Sequence, residues 1–148
     1  MAKIFFGCSM RGGYPQVKKE SLKAIPRIIE GLKHEVVSKH QVQNWEKSEF
    51  RLKNADIHDR DYKWLTEANA GIFEISNPSL GVGSEISDMI HLGKPVLCLY
   101  KKSIKKEISA YILGKENSRF IKTPFKSDSY ASNEDLKKKI KKFLTNLG

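Results

Sequence analysis

The stretch GIFEISNPSLGVGSEISDMIHLGKPVLCLY, residues 71–100, decides the fold. It opens on an apolar run, Gly71 to Ile75, short enough for a strand. A Gly/Pro-rich loop, Asn77 to Gly83, follows. Glu85 to Leu92 has helical character and Gly93 stops it. Pro95 to Tyr100 is a second apolar run. Working outward, the same alternation continues in both directions. Ile4 to Cys8 is apolar without alternation, as in a strand covered on both faces. Ser9 to Tyr14 is a turn containing Gly12 and Gly13. Between Val17 and Leu32, the residues Leu22, Ile25, Ile28, Ile29 and Leu32 fall at helical spacing. Pro26 inside that helix is expected to kink it, because it removes a backbone donor. Glu35 to Ser38 reads as a second strand, Gln41 to Asn54 as a loop or a poorly marked helix, and Ile57 to Ala68 as a helix. Ile104 to Leu113 reads as another helix and Arg119 to Thr123 as a weak fifth strand. Ser132 offers an N-cap for the last helix. There Leu136, Ile140, Phe143, Leu144 and Leu147 make an apolar stripe with lysines opposite.

Alternating strands and helices without repeat or linker predict an α/β fold. The expectation is one domain over residues 1–148. It holds a doubly wound, Rossmann- or flavodoxin-like, five-stranded parallel sheet with helices on both faces. In the common order 2-1-3-4-5, strands one and three are neighbours where the order reverses. Ligands bind at that point, beyond the carboxyl ends of the strands. The two Gly-rich loops of this chain follow those two strands.

Composition narrows the class. With 148 residues, 39% hydrophobic and 30% charged, the chain can bury one core. No apolar run approaches the ~20 residues that span a bilayer. MAKIFFGCSM lacks a long apolar segment and reads as a first strand, not a signal peptide. Cys8 and Cys98 lie in apolar runs, which suits buried, reduced thiols in a cytoplasmic protein. His34, His40, His58 and His91 are scattered, without metal-ligand spacing. Of the net charge of +10, +8 falls after Tyr100, from twelve Lys, one Arg and five acids. Lys outnumbers Arg 22 to 5, and Lys lacks the planar fork that reads phosphates and bases in pairs. A solvated helix face explains this charge better than nucleic-acid binding does.

Three groups of residues could carry chemistry. In GCSMRGG, residues 7–13, adjacent glycines let backbone amides approach an anion, Ser9 offers a hydroxyl and Arg11 a cationic fork. Met10 and Gly12 belong to the same loop. The bland alternative is a tight strand-to-helix turn with a surface Arg. In NPSLGVGSE, residues 77–85, Gly81 and Gly83 open the backbone and Ser79 can donate. Glu85 is expected near the first turn of the next helix, where the dipole stabilises its anion. A carboxylate there can act as nucleophile or base, although Glu is also simply common in first turns. Asp61 is less ordinary. Ile57, Trp64, Leu65 and Ala68 share its helical stripe, while Arg60, Lys63 and Glu67 mark the polar face. An inward carboxylate must be paired, be raised in pKa or line a pocket. It is expected either to cap a neighbouring loop or to be a general acid partnered by ionised Glu85. Two carboxylates with pKa values pushed apart are the usual pair for glycoside cleavage. His40 ends the second strand near the same sheet edge. Asp88 reads as a solvated helix position.

Together these pieces resemble the nucleoside 2-deoxyribosyltransferase superfamily, and within it the 2'-deoxynucleoside 5'-phosphate N-hydrolases. The resemblance rests on FFGCSMRGG at Phe5 to Gly13, IHDRDYKWL at Ile57 to Leu65, PSLGVGSEI at Pro78 to Ile86, GKPVLCLY at Gly93 to Tyr100, and ISAYILG with SRF between Ile108 and Phe120. It implies hydrolysis of the N-glycosidic bond of (2'-deoxy)nucleoside 5'-monophosphates, without cofactor or metal. Glu85 would be the nucleophile forming a glycosyl-enzyme intermediate, and Asp61 the acid/base. Ser9, Arg11 and Ser79 would contact the 5'-phosphate, and Gly12, Gly81, Gly83 and His40 would line the pocket. Ser109 would come from the other subunit of a homodimer. Its position outside both Gly-rich loops is expected to keep it from its own subunit's pocket. Ser84 stands where the hydrolases usually have Tyr, Asn69 where Asp is frequent, and Phe5 where Tyr is common. The competing expectations are a transferase moving deoxyribose between bases, and a nucleotide sensor without turnover. Both Asp61 and Glu85 are present, which argues against the sensor.

Overall fold

The computed structural model describes residues 1–9, 17–38 and 52–147. Five parallel strands form one sheet in the order β2-β1-β3-β4-β5. They are β1 (Lys3–Cys8), β2 (Glu35–Val36), β3 (Ala70–Glu74), β4 (Val96–Lys101) and β5 (Phe125–Tyr130). The helices are α1 (Lys19–Gly31), α2 (Asn54–Glu67), α3 (Leu80–His91), the short α4 (Ala110–Leu113) and α5 (Asn133–Thr145).

Alternation along the strands sorts side chains to two apolar layers. Ile4, Phe6, Ile72, Leu97 and Leu99 point to the face covered by α1 and α5. Phe5, Phe73, Val96 and Cys98 point to the face covered by α2 and α3. The doubly wound arrangement follows from that split, because a sheet buried on both faces needs a helical layer on each. Gly7 is required by the second layer. A Cβ there would lie 2.7 Å from the Phe73 ring, which packs tilted against Phe5 with centroids 5.7 Å apart. Gly93, at φ +77°, makes the left-handed turn that ends α3.

Several boundaries differ from the sequence reading. The helix after β3 starts at Leu80, not Glu85. Ser79 caps it by accepting a hydrogen bond from Val82 N–H at 3.2 Å, so Gly81 and Gly83 are helical. The fifth strand is Phe125–Tyr130, not Arg119 to Thr123. Phe120 in that predicted strand is exposed, and Ile121 N–H turns back onto Ser118 C=O. Strand-like residue types misled there. The true strand is polar in the middle and buries only its ends, Phe125 and Tyr130, as an edge strand does. The helix expected over Ile104 to Leu113 is a 3-10 turn, Lys102–Glu107, followed by α4. α1 continues through Pro26, which is buried on its inner side. Ser132 caps α5 through Asp135 N–H at 3.2 Å. No helix among the described residues is long and apolar enough to cross a membrane.

Candidate active site

The carboxyl ends of β1 and β3 bring Ser9 and the chain entering α1 against the loop after β3. The Asn77 side chain accepts from Val17 N–H at 2.9 Å and donates to Val17 C=O at 3.2 Å. It ties the loop after β3 to the chain entering α1. Buried Ser9 lies against the same loop, its hydroxyl 3.5 Å from Pro78 C=O. Met10, Arg11, Gly12 and His40 lie outside the described residues, as does most of the loop expected over Gln41 to Asn54.

Asp61 and Glu85 come from neighbouring helices of one layer. Asp61 faces inward as its stripe requires, with 14% of its side chain exposed, and pairs with Arg60 at 2.9 Å. Arg60 lies over the Trp64 ring, 4.9 Å from its centroid. It is therefore not the solvated residue that its place in the sequence suggested. Below this group, Lys94 donates to the Leu65 and Thr66 carbonyls at 2.8 and 2.6 Å. A cation on the last carbonyls of α2 fixes the helix that carries Asp61.

Glu85 sits in the second turn of α3, beyond the strongest part of the dipole. Its carboxyl is pushed up to about 8, first by burial, then by the charges of Asp61 and Asp88, with Arg60 opposing. This reverses the expectation that Glu85 is held as an anion by the helix terminus. The charge of Asp88 also acts on Glu85 from its helix position. As like charges, Asp61 and Asp88 disfavour the ionised form of Glu85. Cys8, at the end of β1, is pushed up to about 12 by burial and by the charges of Glu74 and Glu85. Such a thiol is inert at neutral pH.

On another flank of α3 lies a cavity of ≈ 190 Å³. Ser76, Asn77, Ser79 and Ser109 give it polar groups, and Ile86, Ile108 and Ile112 are among its apolar walls. Ser79 and Ser109 take the same role at its edge, each capping a helix through its oxygen. Each keeps a hydroxyl hydrogen to donate. Both border one cavity within one chain, because α4 begins at Ala110, directly after Ser109. The cavity includes Gly83 but neither Gly81, Asp61 nor Glu85. Among the described residues no three His, Cys, Asp or Glu side chains cluster to hold a metal.

Sequence reasoning missed Glu74. It ends β3 with 1% exposure and accepts from Ser76 N–H at 2.5 Å, from Ser76 Oγ at 3.0 Å and from the Tyr130 hydroxyl. The available signal was a lone acid inside the apolar run GIFEI. In a strand covered on both faces, that acid must find partners.

Known proteins resemble this chain in sequence and in fold. A 2'-deoxynucleoside 5'-phosphate N-hydrolase 1 of Nematostella vectensis is 39% identical over 128 residues, covering 81% of this chain and 83% of the relative. This chain belongs to that family. A 5-hydroxymethyl-dUMP N-hydrolase of Mus musculus is 34% identical over 123 residues, covering 79% of this chain and 68% of the mouse protein. The fold matches that of a CMP N-glycosidase of Clostridium botulinum. The TM-score is 0.66 at 17% identity, over 95% of this chain and 98% of the other. It also matches a 2-deoxyribosyltransferase of Bacillus psychrosaccharolyticus, with a TM-score of 0.55 at 18% identity, over 92% and 90%. No protein-family profile matches the chain.

Proposed function

We propose that this N-hydrolase family member cleaves the N-glycosidic bond of (2'-deoxy)nucleoside 5'-monophosphates, releasing free base and sugar 5-phosphate. The observation that carries the reading is the carboxylate pair on α2 and α3. Asp61 is paired with Arg60, and Glu85 is raised by burial and by Asp61 itself. Glu85 attacks C1' and forms a glycosyl-enzyme intermediate. Asp61 protonates the leaving base and then activates water. The pair works with one proton between its two carboxyl groups, and that proton sits on Asp61 when Glu85 attacks. No resident metal or cofactor is invoked.

Ser9, Arg11 and Ser79 hold the phosphate. Ser79 stands at the start of α3, where backbone N–H groups and the dipole favour an anion. Arg11 is assigned from the sequence, two residues after Ser9, and the resemblance adds Met10, Gly12 and His40 as pocket residues. Cys8 and Cys98 are buried and form no disulfide, which suits a reducing, cytoplasmic setting.

The chain is proposed to act as a homodimer. Leu80, Tyr111 and Phe120 are exposed apolar residues, two of them next to Ser79 and Ser109. The resemblance implies that Ser109 acts across a two-fold interface, whereas the cavity it shares with Ser79 supports action within its own chain. Mixing Glu85→Ala with Ser109→Arg protein separates the two. Recovered activity means that Ser109 acts across the interface, and no recovery despite subunit exchange means that it acts in cis.

The substrate assignment is tested by following base release from nucleosides and their monophosphates, with and without an acceptor base. The expected result is strong preference for monophosphates and release without acceptor. Equal rates on phosphorylated and unphosphorylated substrates, with turnover only when acceptor is present, would establish the transferase reading instead.

A further inference from the structure

Glu74 takes no part in the chemistry described above, yet it is the most deeply buried acid among the described residues. Its carboxylate receives Ser76 N–H and Ser76 Oγ–H from the next turn of chain, and Tyr130 O–H from the end of β5. β4 lies between β3 and β5, so the Tyr130 side chain reaches across the end of the intervening strand. Ser76 Oγ in turn accepts from Lys101 N–H at 2.9 Å. In this way a side chain supplies the bond that a continued strand would have given the last residue of β4. Directly beyond Ser76 come Asn77, which grips Val17, and Ser79, which starts α3.

We propose that Glu74 and Tyr130 form a positioning clamp. By locking Ser76 onto the carboxyl end of the sheet, they fix the direction in which the chain leaves β3 and so the place of Ser79 at the phosphate. The three groups hydrogen-bonded to this carboxyl leave the loop one arrangement in which every group is satisfied. If the clamp loosens, Ser79 and the first N–H groups of α3 lose their register with the phosphate, while Asp61 and Glu85 remain on their own helices. The substrate half of this inference rests on the assignment of Ser79 to the phosphate. The clamp itself does not.

Two variants and two readouts test it. Tyr130→Phe keeps the ring and deletes one donor. Glu74→Gln keeps the shape and removes the charge. Both are expected to fold, with far-UV circular dichroism unchanged. In each, KM for a nucleoside monophosphate should rise about tenfold, the worth of one charge-assisted hydrogen bond. kcat should move little, and the residual rate on the unphosphorylated nucleoside should stay as in the parent. Amide hydrogen exchange over residues 75–82 should quicken by a similar factor. Unchanged exchange over that segment in both variants would overturn the clamp whatever the substrate is. Faster exchange with KM unchanged, or an equal loss on both substrates, would overturn its role in placing Ser79. If the parent shows no preference for phosphate, the substrate assignment fails on its own evidence and the exchange result still decides the clamp.

Discussion

Glu74 and Glu85 are two acids near the same sheet edge, both raised in pKa by burial, and their surroundings are opposite. Glu74 is wrapped by three donors, and Tyr130 and Ser76 pull it back toward ionisation. Glu85 faces Asp61 and Asp88, with Arg60 as the cation that offsets them. A carboxylate whose partners satisfy it holds the chain in place. One left beside like charges is poised to change its protonation state, which is what a glycoside-cleaving pair requires. Cys8 feels both charges, so the two acids flank a single point at the end of β1.

The contrast can be broken by mutation. The largest expected effect is on turnover. Glu85→Ala and Asp61→Ala should each lower kcat by about 10²-fold or more with the fold intact, read from initial rates of base release. Glu74→Ala should act on stability instead. It strands the Tyr130 hydroxyl and both Ser76 donors, at a cost of about 2–4 kcal/mol in urea unfolding at pH 7. If Glu74→Ala were as stable as the parent, the contrast between the two acids would collapse.

Glu85→Gln should move stability the other way, and only at higher pH. The folded carboxyl holds its proton up to about 8, whereas the unfolded one releases it near 4.5. Between those values the folded state binds the extra proton, so the parent loses stability as pH rises through that window. The Gln variant should match the parent below about pH 4.5. It should exceed it by about 1–3 kcal/mol at pH 8, once the partial exposure of Glu85 is allowed for. Thermal unfolding across pH checks this, and a parent whose stability rises over the same range would contradict it. The smallest effect belongs to Arg60→Gln. Removing a cation that opposes the shift should carry the alkaline limb of kcat/KM, set where the pair loses its proton, upward from about 8 by roughly 0.5–1 unit.

Much of this was legible in the sequence. The alternation of strands and helices and the inward turn of Asp61 follow from apolar periodicity, and the strand order is the common one for a doubly wound sheet. The limits of β5 and α3 did not. An edge strand hides its pattern when only Phe125 and Tyr130 are buried, and a helix that starts on Leu80-Gly81-Val82-Gly83 looks like loop because two glycines weaken the helical signal. The raised carboxyl of Glu85 was also hidden, because it depends on Asp61 from another helix. The sequence spacing of 24 residues states that proximity only once the fold is known. Glu74 was overlooked because a single acid in an apolar run does not reveal that its partner, Tyr130, lies two strands away.

The account stands most directly on the stereochemistry of cleavage. Running the reaction with methanol as a competing acceptor and assigning the anomer of the methyl glycoside by NMR reports whether a protein nucleophile takes part. Attack by Glu85 followed by attack of methanol inverts C1' twice, so a β-nucleotide should give the β-methyl glycoside. The α-methyl glycoside would mean direct displacement by solvent, and would contradict Glu85 as the nucleophile.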